Sequence, residues 1–106
     1  MKQEEIMERM TFVLHGEYLR RVKIFKNEED ETVIKVDLHG MCRESAQKSL
    51  RNIIAIIRFP FILDVIHGYN GGTVIKEMIY GDLKSPKIRE HRSPLWNPGE
   101  TLMRIA

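Results

Sequence analysis

Asp37 and His39 stand two positions apart in the run Val36-Asp37-Leu38-His39-Gly40. In an extended chain that spacing puts both side chains on one face and turns Val36 and Leu38 to the other. A carboxylate beside an imidazole is a workable acid–base pair, because imidazole titrates near neutral pH and a nearby Asp can hold its tautomer. A polar strand end that simply faces water has the same composition. The second group is His67-Gly68-Tyr69-Asn70-Gly71-Gly72. Its glycines permit positive φ and close backbone approach, and Asn70 is the residue next most tolerant of that conformation. A helix opening after it would offer unpaired amides and a dipole that favour an anion such as phosphate. No Gly-Lys-Ser/Thr follows, so this is no P-loop, and the glycine spacing departs from the dinucleotide fingerprint. A plain structural turn would use the same residues.

The elements that must position these groups are legible from residue 32 onward. Thr32-Val33-Ile34-Lys35-Val36-Asp37-Leu38 is rich in β-branched residues and predicts a strand, ended by Gly40. Ala46, Leu50, Ile53, Ile54 and Ile57 form one apolar stripe, which predicts a helix from about Arg43 to Arg58, stopped by Pro60. Its outer face carries Gln47, Lys48, Arg51 and Asn52. Phe61-Ile62-Leu63-Asp64-Val65-Ile66 is a nearly unbroken apolar run, suited to a central strand paired in parallel with the first. Val74, Ile75, Met78 and Ile79 predict a second helix with Thr73 as N-cap and Gly81 at its end. Strands are expected around 87–91 and 101–105, with Ser93-Pro94-Leu95-Trp96-Asn97-Pro98-Gly99 turning between them.

This order predicts an α/β fold, a two-layer sandwich with a four-stranded mixed sheet and two helices on one face (β-α-β-α-β-β). Parallel pairing would bring Asp37, His39, His67 and the loop amides to one rim. Acid–base groups beside a phosphate cradle suit phosphodiester chemistry.

Residues 1–31 read as an N-terminal extension ahead of a domain over 32–106. Ile6, Met7, Met10 and Leu14 keep helical spacing, with Gly16 as the stop. The stretch from Tyr18 to Phe25 fits a second helix or a strand, and the alternation at Val22 and Ile24 leans toward the strand. Lys26-Asn27-Glu28-Glu29-Asp30-Glu31 reads as a loop or linker that marks where the core domain begins.

The chain's 106 residues suffice for one compact domain, and 42% hydrophobic with 30% charged residues is the make-up of an ordinary globule rather than a disordered chain. Net charge is only +2, which makes no case for nucleic acid by itself. Residues 1–35 hold seven basic and eight acidic side chains, and residues 36–106 hold ten and seven, a mild basic bias compatible with a polyanion and equally with a solvated surface. No apolar run is long enough to span a bilayer, and the first residues lack a signal-peptide layout. The single cysteine, Cys42, offers neither a disulfide nor a metal-binding spacing and reads as a buried structural thiol, the other reading being a thiol with a depressed pKa at a helix start. Together these point to a cytoplasmic protein with no membrane partner.

Val36-Asp37-Leu38-His39-Gly40, the amphipathic helix after it, and Val65-Ile66-His67-Gly68 before a glycine-rich turn resemble the Smr (small MutS-related) domain. The closing Gly99-Glu100-Thr101-Leu102-Met103-Arg104-Ile105 is similar to that domain's last strand, so the likeness covers about residues 33–105. It implies a fold similar to the C-terminal domain of translation initiation factor three. It also implies nucleic-acid binding and, in many members, endonuclease or nicking activity on DNA or RNA. By position, Asp37 and His39 match the family's Asp-x-His motif, linked to cleavage. His67 and Gly68 match the start of its His/Thr-Gly-x-Gly motif. Asn70 stands where the motif has its second glycine, and Gly72 falls where many members have a further one. The basic residue common early in the second helix is shifted here, with Lys76 following Ile75.

The expectation is therefore a nucleic-acid-binding domain and candidate nuclease with Asp37, His39 and His67 as the reacting groups. Gly68, Tyr69, Asn70, Gly71, Gly72, Lys76, Arg89 and Arg92 would contact nucleic acid or phosphate. Cleavage of RNA through its 2′-hydroxyl needs no metal, whereas DNA needs a water nucleophile and makes Mg²⁺ the cofactor in view. A binding module without catalysis, or a protein-interaction scaffold, is the alternative. Tyr69 reads either as a base-stacking ring or as a cover for the core, and Trp96 as a core plug.

Overall fold

The computed structural model describes residues 2–68 and 73–106. Its elements are α1 (Gln3–Met10), α2 (Gly16–Arg20), β1 (Lys23–Lys26), β2 (Thr32–Asp37), α3 (Arg43–Ile56), β3 (Phe61–Ile66), α4 (Val74–Gly81), β4 (Ile88–Arg92) and β5 (Glu100–Ile105). The strands form one five-stranded sheet in the order β1-β2-β3-β5-β4. Only β2 and β3 run parallel, joined by α3, while the pairs β1/β2, β3/β5 and β4/β5 are antiparallel.

The α/β class, the mixed sheet and the helices at 43–56 and 74–81 follow the sequence pattern. The described residues add one strand and two helices to the expected four and two. The acidic run is the loop that one of its two readings expected, and it turns a hairpin rather than linking two units. Asn27 Oδ1 accepts the amides of Glu29 and Glu31 at 3.0 and 2.9 Å, and Asp30 takes a positive φ of 61°. These bonds close a hairpin in which β1 pairs with β2 from Lys26↔Thr32 to Lys23↔Lys35. Glu31 also pairs with Arg104 of β5, whose guanidinium holds the Glu31 carboxyl well below its usual range.

Strand alternation sorts the side chains into two faces. Ile34, Val36 and Leu38, then Leu63 and Val65, then Met103 and Ile105 are fully buried in one cluster with Ala46, Leu50 and Ile53 of α3 and Met78 and Ile79 of α4. Ile6, Met10 and Leu14 belong to the same cluster, so the N-terminal segment helps build the core that the rest of the chain uses. Gly16 does not stop α1. That helix ends at Met10, a turn closed by the Val13 and Leu14 amides on Met10 O follows it, and Gly16 opens α2 with a positive φ of 57°. The carboxyl end of α3 is tied down from two distant segments. Lys87 Nζ donates to Ile54 O and Ile57 O at 2.5 and 3.2 Å, and Arg9 donates to Ile56 O at 3.3 Å, cations placed where the helix dipole favours them.

The reverse face carries Val33, Lys35 and Asp37 on β2, Ile62, Asp64 and Ile66 on β3, and Glu100, Leu102 and Arg104 on β5. Val33 and Ile62 are buried there, outside the main cluster. Among the described residues no helix is long and apolar enough to cross a membrane.

Candidate functional site at the carboxyl rim of the central strands

The rim is built from two turns. Leu38, fully buried, anchors the first, and its amide extends the parallel ladder by donating to Ile66 O at 2.8 Å. The Met41 amide then donates to Leu38 O at 3.0 Å, and Gly40 has a φ of +86°. That is a type II turn, whose third residue must be glycine or its equivalent. His39, the second residue of the turn, projects outward. Its Nδ1 lies 2.5 Å from Asp37 Oδ1, and the same oxygen accepts the His39 amide at 3.2 Å. Asp37 thus holds the ring from two sides, and with Nδ1–H donating, Nε2 carries the lone pair.

The second turn follows β3. The amides of His67 and Gly68 both donate to Gly99 O, at 2.8 and 3.0 Å. Gly68 has a φ of +75°, and a Cβ placed there would lie 3.3 Å from the Cβ of His39. The two motifs meet at that contact.

His67 comes to the same rim with a different role. It is buried, with Nε2 2.8 Å from Thr101 Oγ1 and Nδ1 3.0 Å from Gly68 O. Burial pushes its pKa below the usual imidazole value, and the nearby Lys76 charge adds to that. Expected as a reacting group, His67 has both ring nitrogens engaged inside the protein and clamps β3 to β5. The amides at 67 and 68 are likewise taken by Gly99 and are not donors to a ligand. Tyr69, Asn70, Gly71 and Gly72 lie outside the described residues.

Lys76, in the first turn of α4, is half-buried and close enough to His67 to act on it electrostatically. Thr73 sits at the N-cap position, yet its hydroxyl donates to Glu77 Oε1 at 2.8 Å rather than accepting a backbone amide. Arg89 and Arg92 do not join the rim pair. They are exposed on β4, separated from β2 by β3 and β5, roughly 14 Å at the usual strand spacing.

Two carboxyls absent from the expected set lie just inside the rim, on the reverse face. Asp64 and Glu100 are 6% and 7% exposed and neighbour each other on the paired strands β3 and β5, with Asp64 Oδ1 buried and without a hydrogen-bond partner. Burial first, then Glu100, pushes the Asp64 pKa up to about 8, partly offset by Lys35 on the adjoining strand. Burial and the neighbouring carboxyl both favour the protonated form of Asp64. The signal in the sequence is Asp64 itself, the lone charge in the run 61–66. Two other expectations reverse. Trp96 is 84% exposed rather than a core plug, and Cys42 is exposed at the start of α3. Its thiol, hydrogen-bonded to Ser45, has a lowered pKa.

Among the described residues no three His, Cys, Asp or Glu side chains converge as a metal cage. No family model, no characterised protein and no solved structure matches the chain. The likeness to the Smr domain rests on the sequence motifs alone.

Proposed function

We propose that this is a nucleic-acid-binding domain of Smr type, similar in fold to the C-terminal domain of translation initiation factor three, that cleaves phosphodiesters at the Asp37–His39 rim. The observation that carries the reading is the exposed imidazole held at 2.5 Å by Asp37 and set against the Gly68 turn. On RNA, His39 Nε2 takes the proton of a 2′-hydroxyl and Asp37 stabilises the imidazolium that forms. The 2′-oxygen attacks phosphorus and the 5′-oxygen leaves, picking up a proton from water or from the imidazolium. The products are a cyclic phosphate and a free 5′-hydroxyl. His67 acts as a positioning residue that holds the turn through Thr101. Lys76 supplies positive charge near the phosphate. The work of such a protein belongs in the cytoplasm.

A binding module without catalysis is the second reading. It is favoured by the His67 and Gly68 amides, which Gly99 occupies, so that the described part of the loop offers no cradle for a developing phosphorane charge.

The test uses purified protein with labelled RNA hairpins, RNA single strands and branched DNA, with and without Mg²⁺. Asp37→Ala and His39→Ala run beside it. Cleavage lost in both variants with binding retained supports the nuclease. Cleavage unchanged in the variants overturns the site. Salt-sensitive binding with no cut product supports the second reading.

A further inference from the structure

Leu95 and Trp96 are 100% and 84% exposed, next to each other, in the turn between β4 and β5. Single exposed apolar residues are ordinary, but two large ones side by side forgo burial that the core could have used. Their exposure is built in. Pro94 is buried and anchors the turn. The Asn97 amide donates to Pro94 O at 3.2 Å, the Gly99 amide to Asn97 Oδ1 at 3.0 Å, and the Glu100 amide to Asn97 O at 3.3 Å. Tyr80 of α4 reaches across to Ser93 at 3.1 Å. A rigid turn that holds an aromatic ring out of the core has already met the ordering cost of binding.

The place of the turn says what it meets. Its last residue before β5 is Gly99, whose carbonyl takes the His67 and Gly68 amides, so the turn borders the same rim as His39. The strand leading into it ends on exposed Arg92 and carries exposed Arg89, while Glu90 between them is in register with Arg104. An exposed aromatic ring in a turn that follows a strand bearing two exposed arginines suits a chain whose bases stack while its phosphates pair with cations. An apolar groove on a protein partner would match Leu95 and Trp96 but leave both arginines without counter-charge.

We infer that the Leu95–Trp96 turn is a base-stacking element that makes the rim selective for unpaired strands. The inference rests on the nucleic-acid reading above and names its substrate class. In a duplex the base faces are stacked on each other and closed to the indole, whereas in a single strand, loop or bulge they are open.

Trp96 is the only tryptophan, so its emission reports on the turn directly. The experiment titrates the protein with oligouridylate, oligothymidylate and a blunt DNA duplex, reading both emission and the anisotropy of labelled strands. Single strands are expected to quench Trp96 and the duplex to leave it unchanged. Trp96→Ala should weaken single-strand binding by about tenfold, Trp96→Phe by much less, and neither should alter duplex binding. If the parent binds single strands and Trp96→Ala binds them equally well, or loses duplex binding to the same extent, the stacking role is overturned while the nucleic-acid reading stands. If the parent binds no strand at low salt, that reading falls and the stacking role with it. An emission shift driven by protein concentration alone assigns the turn to a second copy of the chain and overturns the inference.

Discussion

Asp37 and Asp64 lie on adjacent parallel strands and the same face of the sheet, two residues apart in register, yet their surroundings make them opposite groups. Asp37 is at the strand end, half-buried, and its partner is an imidazole that can donate. Asp64 is enclosed, its partner is another carboxyl, and its pKa rises to about 8. One carboxyl meets a group that can donate to it, the other a second carboxyl that raises its hold on a proton. Residue type says little about which it will be. The neighbour across the strand and the access of water decide it.

Isosteric substitutions give the largest test of that contrast. Asp37→Asn should lower cleavage by roughly 10²–10³-fold, because the amide no longer supports an imidazolium. Asp64→Asn should leave cleavage nearly unchanged. Equal losses in single-turnover assays would mean that the two carboxyls act as one unit.

The next effect is on the contact between the motifs. Gly68→Ala puts a side chain on a backbone with φ of +75° and crowds His39 at 3.3 Å. It should cost about 1–2 kcal/mol, seen as a drop in Tm of roughly 5–10 °C. Cleavage should fall further than stability alone explains. Retained activity at full strength would show that His39 does not depend on the turn.

The Asp64 pair should also shape stability against pH. The folded chain holds the Asp64 proton up to about pH 8, whereas the unfolded chain releases it near 3.8. Between those values the native state binds more protons, so this pair's contribution to stability falls as pH rises. Asp64→Asn removes the titration. Its Tm should exceed the parent's by roughly 5 °C above pH 8, a shift worth ~1 kcal/mol, and match it near pH 4. The smallest effect is Thr101→Val, which strips His67 Nε2 of its partner and should cost about 1 kcal/mol in thermal melts, with a modest loss of cleavage as the turn His67 holds is loosened.

What was legible in the sequence were the parts with a strong internal period. Ala46, Leu50 and Ile53 announce α3 because a helix writes its own repeat, and the β-branched run 32–38 announces β2. Both motifs were visible, and so was their meeting, since parallel strands bring like ends together. β1 was only half visible, because Lys23–Lys26 alternates weakly and takes its strand character from pairing with β2. The run 26–31 has the polar composition of a linker and of a hairpin turn alike, and the Asn27 bonds that distinguish them cannot be read from composition. His67 looked reactive because nothing local reveals Thr101, 34 residues away, on its Nε2. Asp64 and Glu100 are separated by an even longer stretch and meet only when β3 and β5 pair. Trp96 misled for the opposite reason, as size and proline neighbours suggest a plug while the turn's own hydrogen bonds hold it out.

The pairing of β1 with β2 has a consequence for anyone who would trim the chain. Without residues before Thr32, β2 would become the outermost strand, a bare row of amides and carbonyls along Thr32-Val33-Ile34-Lys35-Val36-Asp37 with β-branched side chains on both sides. Such an edge recruits strands from other molecules, and the lysines of β1 that now discourage it would be gone. A fragment cut at the end of the acidic run would be a self-associating one, so the short first hairpin serves as the molecule's guard against its own copies.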